Sequence, residues 1–170
     1  DVIARPLRND GVCLLEMLRG LGDACAAFQA PNKVIQQQLG IKLHIIDIID
    51  EYKDVLINPK HGYGANMNPC LDCKIFMVGK AKQWMDKNNF DFIITGEVMG
   101  QRPMSQRKDL LPVVVRESGA DDRLLRPLCA QNLAATLPER EGWVNREQLK
   151  AFSGRNRKPQ MALAAEFGFE

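Results

Sequence analysis

An open α/β sheet of parallel strands with flanking helices is the fold class this sequence predicts, and three observations point to it. Two short runs, Leu43-His44-Ile45-Ile46-Asp47-Ile48 and Phe90-Asp91-Phe92-Ile93-Ile94-Thr95, have the β-branched and aromatic character of strands buried in a parallel sheet. Segments of helical period alternate with them, which is the rhythm of α/β architecture. Glycine-bearing loops at 58–69 and 96–106 follow the two strands, the first after a short turn over 50–57, and in such sheets ligands sit where the strands end. At 170 residues, with no Pro/Gly/Ser-rich linker and no internal repeat, the chain reads as one domain over 1–170.

Taken in order, Asp10 followed by Val12, Leu14, Leu15, Leu18 and Leu21 predicts a capped amphipathic helix that ends near Gly22. A second helix is expected over 32–39, stopped by Gly40. The first strand follows at Leu43–Ile48. Pro, Asn and Gly punctuate 58–69 as a loop. From Leu71 to Lys87, Ile75, Phe76, Val78, Gly79, Lys82 and Met85 sketch a helix, and the second strand over 90–95 stops at Gly96. Further short elements are expected over Leu110–Glu117 and Leu124–Leu128. Two closing helices are expected over Trp143–Phe152 and Pro159–Phe167, with Pro159 suited to a first helical turn.

Composition excludes several classes. Lys and Arg number 23 against 21 Asp and Glu, a formal charge of +2, so the chain is no polycation, although a local basic patch is compatible with that balance. The longest apolar run, around Leu43–Ile49, is broken by His44 and Asp47 and falls far short of the roughly 18 residues that a membrane span needs. No basic-then-apolar leader follows Asp1, and the five cysteines (13, 25, 70, 73, 129) are odd in number and unevenly spaced. A reducing compartment, the cytoplasm, is therefore expected, where cysteines act as thiolates or metal ligands.

Three stretches carry possible chemistry. In Asn68-Pro69-Cys70-Leu71-Asp72-Cys73-Lys74 a CxxC pair enters a predicted helix. The partial positive charge of a helix start and the neighbouring Lys74 both favour thiolates. The bland alternative is two small residues packed under a loop. A metal half-site is a further reading: zinc needs two more ligands, for which His61 and Cys129 are available, and Cys70, Cys73 and Cys129 are three thiols for an iron–sulfur centre. In the second stretch, Thr95–Arg107, Gly96 and Gly100 permit close backbone approach to a ligand, and Arg102 with Arg107 suits phosphate. The third, Ser153–Gln160, is a basic loop (Arg155, Arg157, Lys158) entering the last helix, with Arg146 and Lys150 before it. It reads either as a solvated surface or as a contact to a nucleic-acid backbone.

In this order, Asn68–Lys74, Phe90–Glu97, Arg126-Pro127-Leu128 and Arg157–Ala162 resemble the PP-loop ATP pyrophosphatase superfamily, in particular its tRNA 2-thiouridylase-like proteins. Pro59–Gly64, Gly100–Gln106 and Glu141–Val144 resemble signature stretches of that group. The likeness covers about residues 33–170 and leaves 1–32 as an atypical start. The resemblance implies a Rossmann-like sheet in which ATP adenylates a tRNA base and a cysteine-borne sulfur then displaces AMP. Cys70 and Cys73 would be catalytic. Gly96, Glu97, Gly100, Gln101 and Arg102 would bind the cofactor, and Arg107, Lys108, Arg155, Arg157 and Lys158 would bind tRNA, with a sulfur-donor protein as a further partner. The superfamily's phosphate loop, Ser-Gly-Gly-x-Asp-Ser, has no counterpart in this sequence. The expectation is that this loop, with the first strand, lies upstream of Asp1, that a different segment replaces it, or that the site no longer hydrolyses ATP. The competing expectation is a non-catalytic subunit on the same scaffold that holds zinc or an iron–sulfur cluster through Cys70, Cys73 and Cys129.

Overall fold

The computed structural model describes residues 13–18 and 42–168, and these fall into two compact units that divide between Asp91 and Phe92. In the first unit, β1 (Cys13–Leu18) and β2 (Lys42–Asp47) pair in parallel, from Cys13 opposite Lys42 to Leu18 opposite Asp47. The helix expected from Asp10 to Gly22 is thus replaced over 13–18 by a strand. Leucines at 14, 15 and 18 fit a helical stripe as well as a fully apolar strand, and periodicity alone does not separate the two in so short a run. Pairing with β2 decides between them. The helix expected over 32–39 lies outside the described residues.

The turn expected over 50–57 is a helix, α1 (Ile49–Ile57). Its start is held by the Asp47 carboxylate, which accepts the Ile49 N–H at 3.0 Å, and Asp50 and Glu51 suit the positive end of the helix. Tyr52 turns inward against Phe76, ring centres 5.9 Å apart, and Glu51 pairs with Lys80. Both partners belong to α2 (Cys70–Lys87), the longest described helix, which buries Leu71, Cys73, Val78, Ala81 and Met85.

The end of α2 is explicit in the backbone. Asn89 sits in the left-handed region at φ 58; its N–H reaches the Asp86 carbonyl at 3.3 Å and that of Phe90 reaches Met85 at 3.0 Å. These two bonds satisfy carbonyls that the helix leaves without partners. Phe90 then folds back to stack on Trp84 at 5.0 Å, and His44 of β2 meets the same indole at 4.7 Å. Two aromatic contacts thereby fix where the chain leaves the helix.

In the second unit, β3 (Ile93–Ile94) pairs in parallel with β4 (Leu124–Leu125), extended by the Thr95 N–H to the Leu125 carbonyl at 3.0 Å. Helix α3 (Leu111–Glu117) buries Leu111 and Val114. Short α4 (Leu137–Arg140) opens on a reciprocal Thr136–Glu139 capping box. Leu125, Ala130, Val144 and Leu149 form a core on which Phe92 packs. The helix expected over Trp143–Phe152 does not form. Apart from a single turn at Arg146–Gln148, this segment runs beside 127–131: the Lys150 and Phe152 N–H groups donate to the Pro127 and Leu128 carbonyls, each at 2.8 Å. Val144 and Leu149 lie five apart, a spacing that puts them on no common helical face. The last helix, α5 (Lys158–Glu166), forms as expected with Pro159 in its first turn. The fold class is mixed α/β with short parallel strand pairs. Among the described residues no helix is long and apolar enough to cross a membrane.

Candidate functional site

Cys70 and Cys73 occupy the first turn of α2, three residues apart and so on one face. Pro69 precedes them, and its carbonyl accepts the Cys73 N–H at 2.8 Å. Both are thiols rather than disulfide partners, yet they are not equivalent. Cys73 is only 4% exposed and its thiol lies 3.8 Å from the Met77 sulfur, whereas Cys70 is half-buried and accessible.

Between them sits Asp72, buried although it is an acid. Its carboxylate takes two bonds from one residue across the loop, the His61 backbone N–H at 2.9 Å and the His61 Nδ1 at 2.9 Å. A carboxylate accepts, so Nδ1 carries the proton there and Nε2 becomes the imidazole's second functional nitrogen. The other side of the loop is anchored by the Tyr63 hydroxyl, which reaches the Leu56 and Ile57 carbonyls at 2.7 and 2.9 Å. Segment 58–69 is therefore strapped to the end of α1 and to the start of α2, with Gly62 at φ 74 making the turn between the two anchors. The His61–Asp72 pair is the feature that the sequence reading did not assemble. Its visible signal is an acid inside a CxxC, in the first helical turn where an anion is favoured.

In the second unit the other two stretches meet. Met99 bridges Ser153 in parallel fashion, and the Gly154 N–H donates to the Met99 carbonyl at 2.8 Å. The Gln101 side-chain amide donates to that of Gln160 at 3.2 Å. Gly100 has φ 77, and a Cβ there would stand 3.5 Å from the Gly154 nitrogen, which is ordinary contact. The backbone angle, more than crowding, calls for glycine. Buried Gln106 closes the first loop by accepting the Gly100 and Arg102 N–H groups at 2.7 and 3.0 Å. Around this junction Arg102, Lys108, Arg155, Arg157 and Lys158 are exposed, and exposed Arg107 forks onto Asp109 at 2.7 and 3.1 Å. The loop expected to bind a cofactor and the loop whose cations are expected to bind nucleic acid are thus joined by their backbones.

Glu97 does not join that surface. It is 4% exposed, accepts Arg126 Nε at 2.9 Å and takes the Thr95 hydroxyl at 3.1 Å. Cys129 is fully buried and its thiol donates to the Glu97 carbonyl at 3.4 Å. Burial pushes this thiol above its ordinary range, while the Met99 backbone and Arg126 pull weakly the other way. Cys129 is a neutral packing group. Among the described residues no group of three or more His, Cys, Asp or Glu side chains is arranged as metal ligands.

The stretch from Gly96 to Arg102 does not fit the triphosphate of ATP. The amides of Gly100, Gln101 and Arg102, the donors that would cradle phosphate, are spent on the Gln106 carbonyl, the Val98 carbonyl and the Gln106 side chain. Compared with protein-family models, curated proteins and solved structures, the chain matches none of them.

Proposed function

We propose that this chain is an RNA-modifying enzyme of the tRNA sulfur-transferase kind, built on a Rossmann-like sheet, in which Cys70 delivers sulfur and Cys73 stands behind it. The observation that carries the reading is the joining of loops 96–107 and 153–160 through Met99, Ser153 and Gly154, two loops that each bear exposed cations on a chain of formal charge only +2. Exposed cations on adjoining loops of a near-neutral protein suit local engagement of a phosphate backbone. The thiols agree with the same chemistry. Cys70 is half-buried at the start of α2 and Cys73 is buried one helical turn on; in this reading the Cys73 thiolate attacks Sγ of a Cys70 persulfide, releasing its outer sulfur as hydrosulfide and leaving a Cys70–Cys73 disulfide that an external thiol reduces. His61, oriented by Asp72, supplies a nitrogen near that turn for proton transfer. ATP as the activating co-substrate follows from the resemblance alone, and no step is drawn through it.

The test is paired. Binding of unmodified tRNA is measured across a salt series for the wild type and for Arg155→Ala/Arg157→Ala, and thiolated nucleosides are quantified by mass spectrometry after incubation with a persulfide donor and ATP. Two lost backbone contacts should flatten the log–log salt slope by roughly 1.5–2. Cys70→Ser should abolish thiolation while leaving tRNA affinity intact. A wild-type affinity indifferent to salt, or full thiolation by Cys70→Ser, would overturn the proposal.

A further inference from the structure

The second unit holds a half-open cavity of about 380 Å³ whose lining includes neither the thiols nor the cation-bearing loops. That volume lies in the range of small-molecule sites, roughly 300–1,000 Å³. Helix α3 supplies Leu111, Pro112 and Val115 to the wall, β4 supplies Leu124, and the segment before α4 supplies Leu133 and Ala135. The wall is mostly apolar. Most of the polar side chains set into it are closed by partners. The Thr136 hydroxyl donates to Glu139, which also takes Arg146; Asp122 takes Arg140, and Arg126 is buried against Glu97 at 2.9 Å. One charge is left over. Asp121 lines the cavity as an exposed carboxylate, and among the described residues it enters none of the ion pairs around it.

We propose that this cavity binds an organic cation, a small apolar body carrying one ammonium group that pairs with Asp121. Charge balance selects the sign. The charged residues lining the cavity are Arg116, Asp121, Asp122, Arg126 and Glu139, two cations against three anions. Their ion-pair partners Glu117, Arg140, Glu97 and Arg146 add two charges of each sign and leave the surplus negative. An anionic ligand meets that surplus, whereas an ammonium group cancels it. A bare metal cation is disfavoured for a different reason: it needs several oxygen ligands, and the other carboxylates of the wall, Asp122 and Glu139, are already engaged. The apolar wall supplies affinity through the area it removes from water, and the single open carboxylate at the rim supplies orientation. Because Asp121 is exposed, its pairing is screened by salt and contributes a modest factor.

The experiment titrates the intact chain by saturation-transfer NMR with three molecules that share a phenylethyl body: phenethylamine as its ammonium, phenylethanol and phenylpropionate. At low ionic strength the amine should bind about threefold more tightly than the alcohol, with the carboxylate weakest. That preference should shrink in roughly 0.5 M salt. Asp121→Asn removes the charge yet keeps a residue type that tolerates the left-handed backbone at φ 47. Its melting temperature should hold while amine and alcohol come to bind alike. Ala135→Phe, which fills the cavity from a half-buried position, should abolish binding of all three; the asparagine variant carries the test by itself should the phenylalanine unfold the chain. A carboxylate that binds as tightly as the amine, an amine preference that survives in Asp121→Asn, no binding of the amine at millimolar concentration, or full amine affinity in a folded Ala135→Phe would each overturn the proposal.

Discussion

Asp72 shows how much of the candidate site hangs on single residues. One carboxylate at the start of α2 holds both the backbone and the ring of His61, with side chains 11% and 24% exposed. Hydrogen bonds to a charged acceptor contribute roughly 1.5–3 kcal/mol, so Asp72→Ala should lower stability by about 2 kcal/mol and speed hydrogen exchange at the His61 amide. Unchanged exchange there would refute the strap. The thiols should react in order of exposure: iodoacetamide should modify Cys70 well before Cys73 and Cys129, with peptide mass spectrometry as the readout. The Glu97–Arg126 pair, each partner 4% exposed, is a different case. Removing one member leaves the other charge buried, and Glu97→Ala should cost about 3–5 kcal/mol by urea denaturation. Cys129 carries a pH prediction. Its folded-state pKa is raised, so the folded protein holds the proton more tightly than the unfolded chain. That contribution is complete below the ordinary thiol pKa of about 8.5 and is lost as pH rises through the folded value, at up to about 1.4 kcal/mol per pH unit. Stability above pH 9 should therefore fall more steeply in the wild type than in Cys129→Ala.

At the scale of elements, the ends of α2 are where local chemistry and packing agree. Asn89 adopts a left-handed conformation that an alanine occupies at a cost of roughly 1–2 kcal/mol, whereas glycine is at ease there. Asn89→Ala should destabilise by about that amount and Asn89→Gly should be near neutral, as judged by thermal melts. The elements that the sequence misassigned share a cause. Cys13–Leu18 and the 143–152 segment both read locally as helix, and both are extended because a distant stretch takes their backbone hydrogen bonds, β2 in one case and Pro127–Leu128 in the other. Helix α1 carries a helical signal, since Ile49, Tyr52 and Leu56 follow the i, i+3, i+7 spacing of one face, but its nine residues between a strand and a Pro/Gly loop read as a connecting turn. By contrast, α2 and α5 were legible because Pro69 stands at the N-cap of one and Pro159 in the first turn of the other, and both continue in residues that favour helix.

For the molecule as a whole, a near-zero net charge makes the location of cations more informative than their number. Binding to nucleic acid, if carried by the 96–107 and 153–160 loops, should be steeply salt-dependent despite the formal charge of +2, and the double arginine variant tests that directly. The amino-acid sequence by itself determined the α/β class, the entry of the CxxC into a helix, and the two loops that bear glycine and arginine. These are local properties, set by side-chain period, proline and glycine. Only the tertiary structure decided that those two loops meet, that Glu97 turns inward to Arg126 in place of facing a cofactor, that Cys129 is a sealed core thiol, and that His61 closes onto Asp72. Each depends on contacts between residues distant along the chain or on burial. No window of sequence encodes such contacts, because the free energy that fixes them arises only when water is excluded and partners from separate segments satisfy one another.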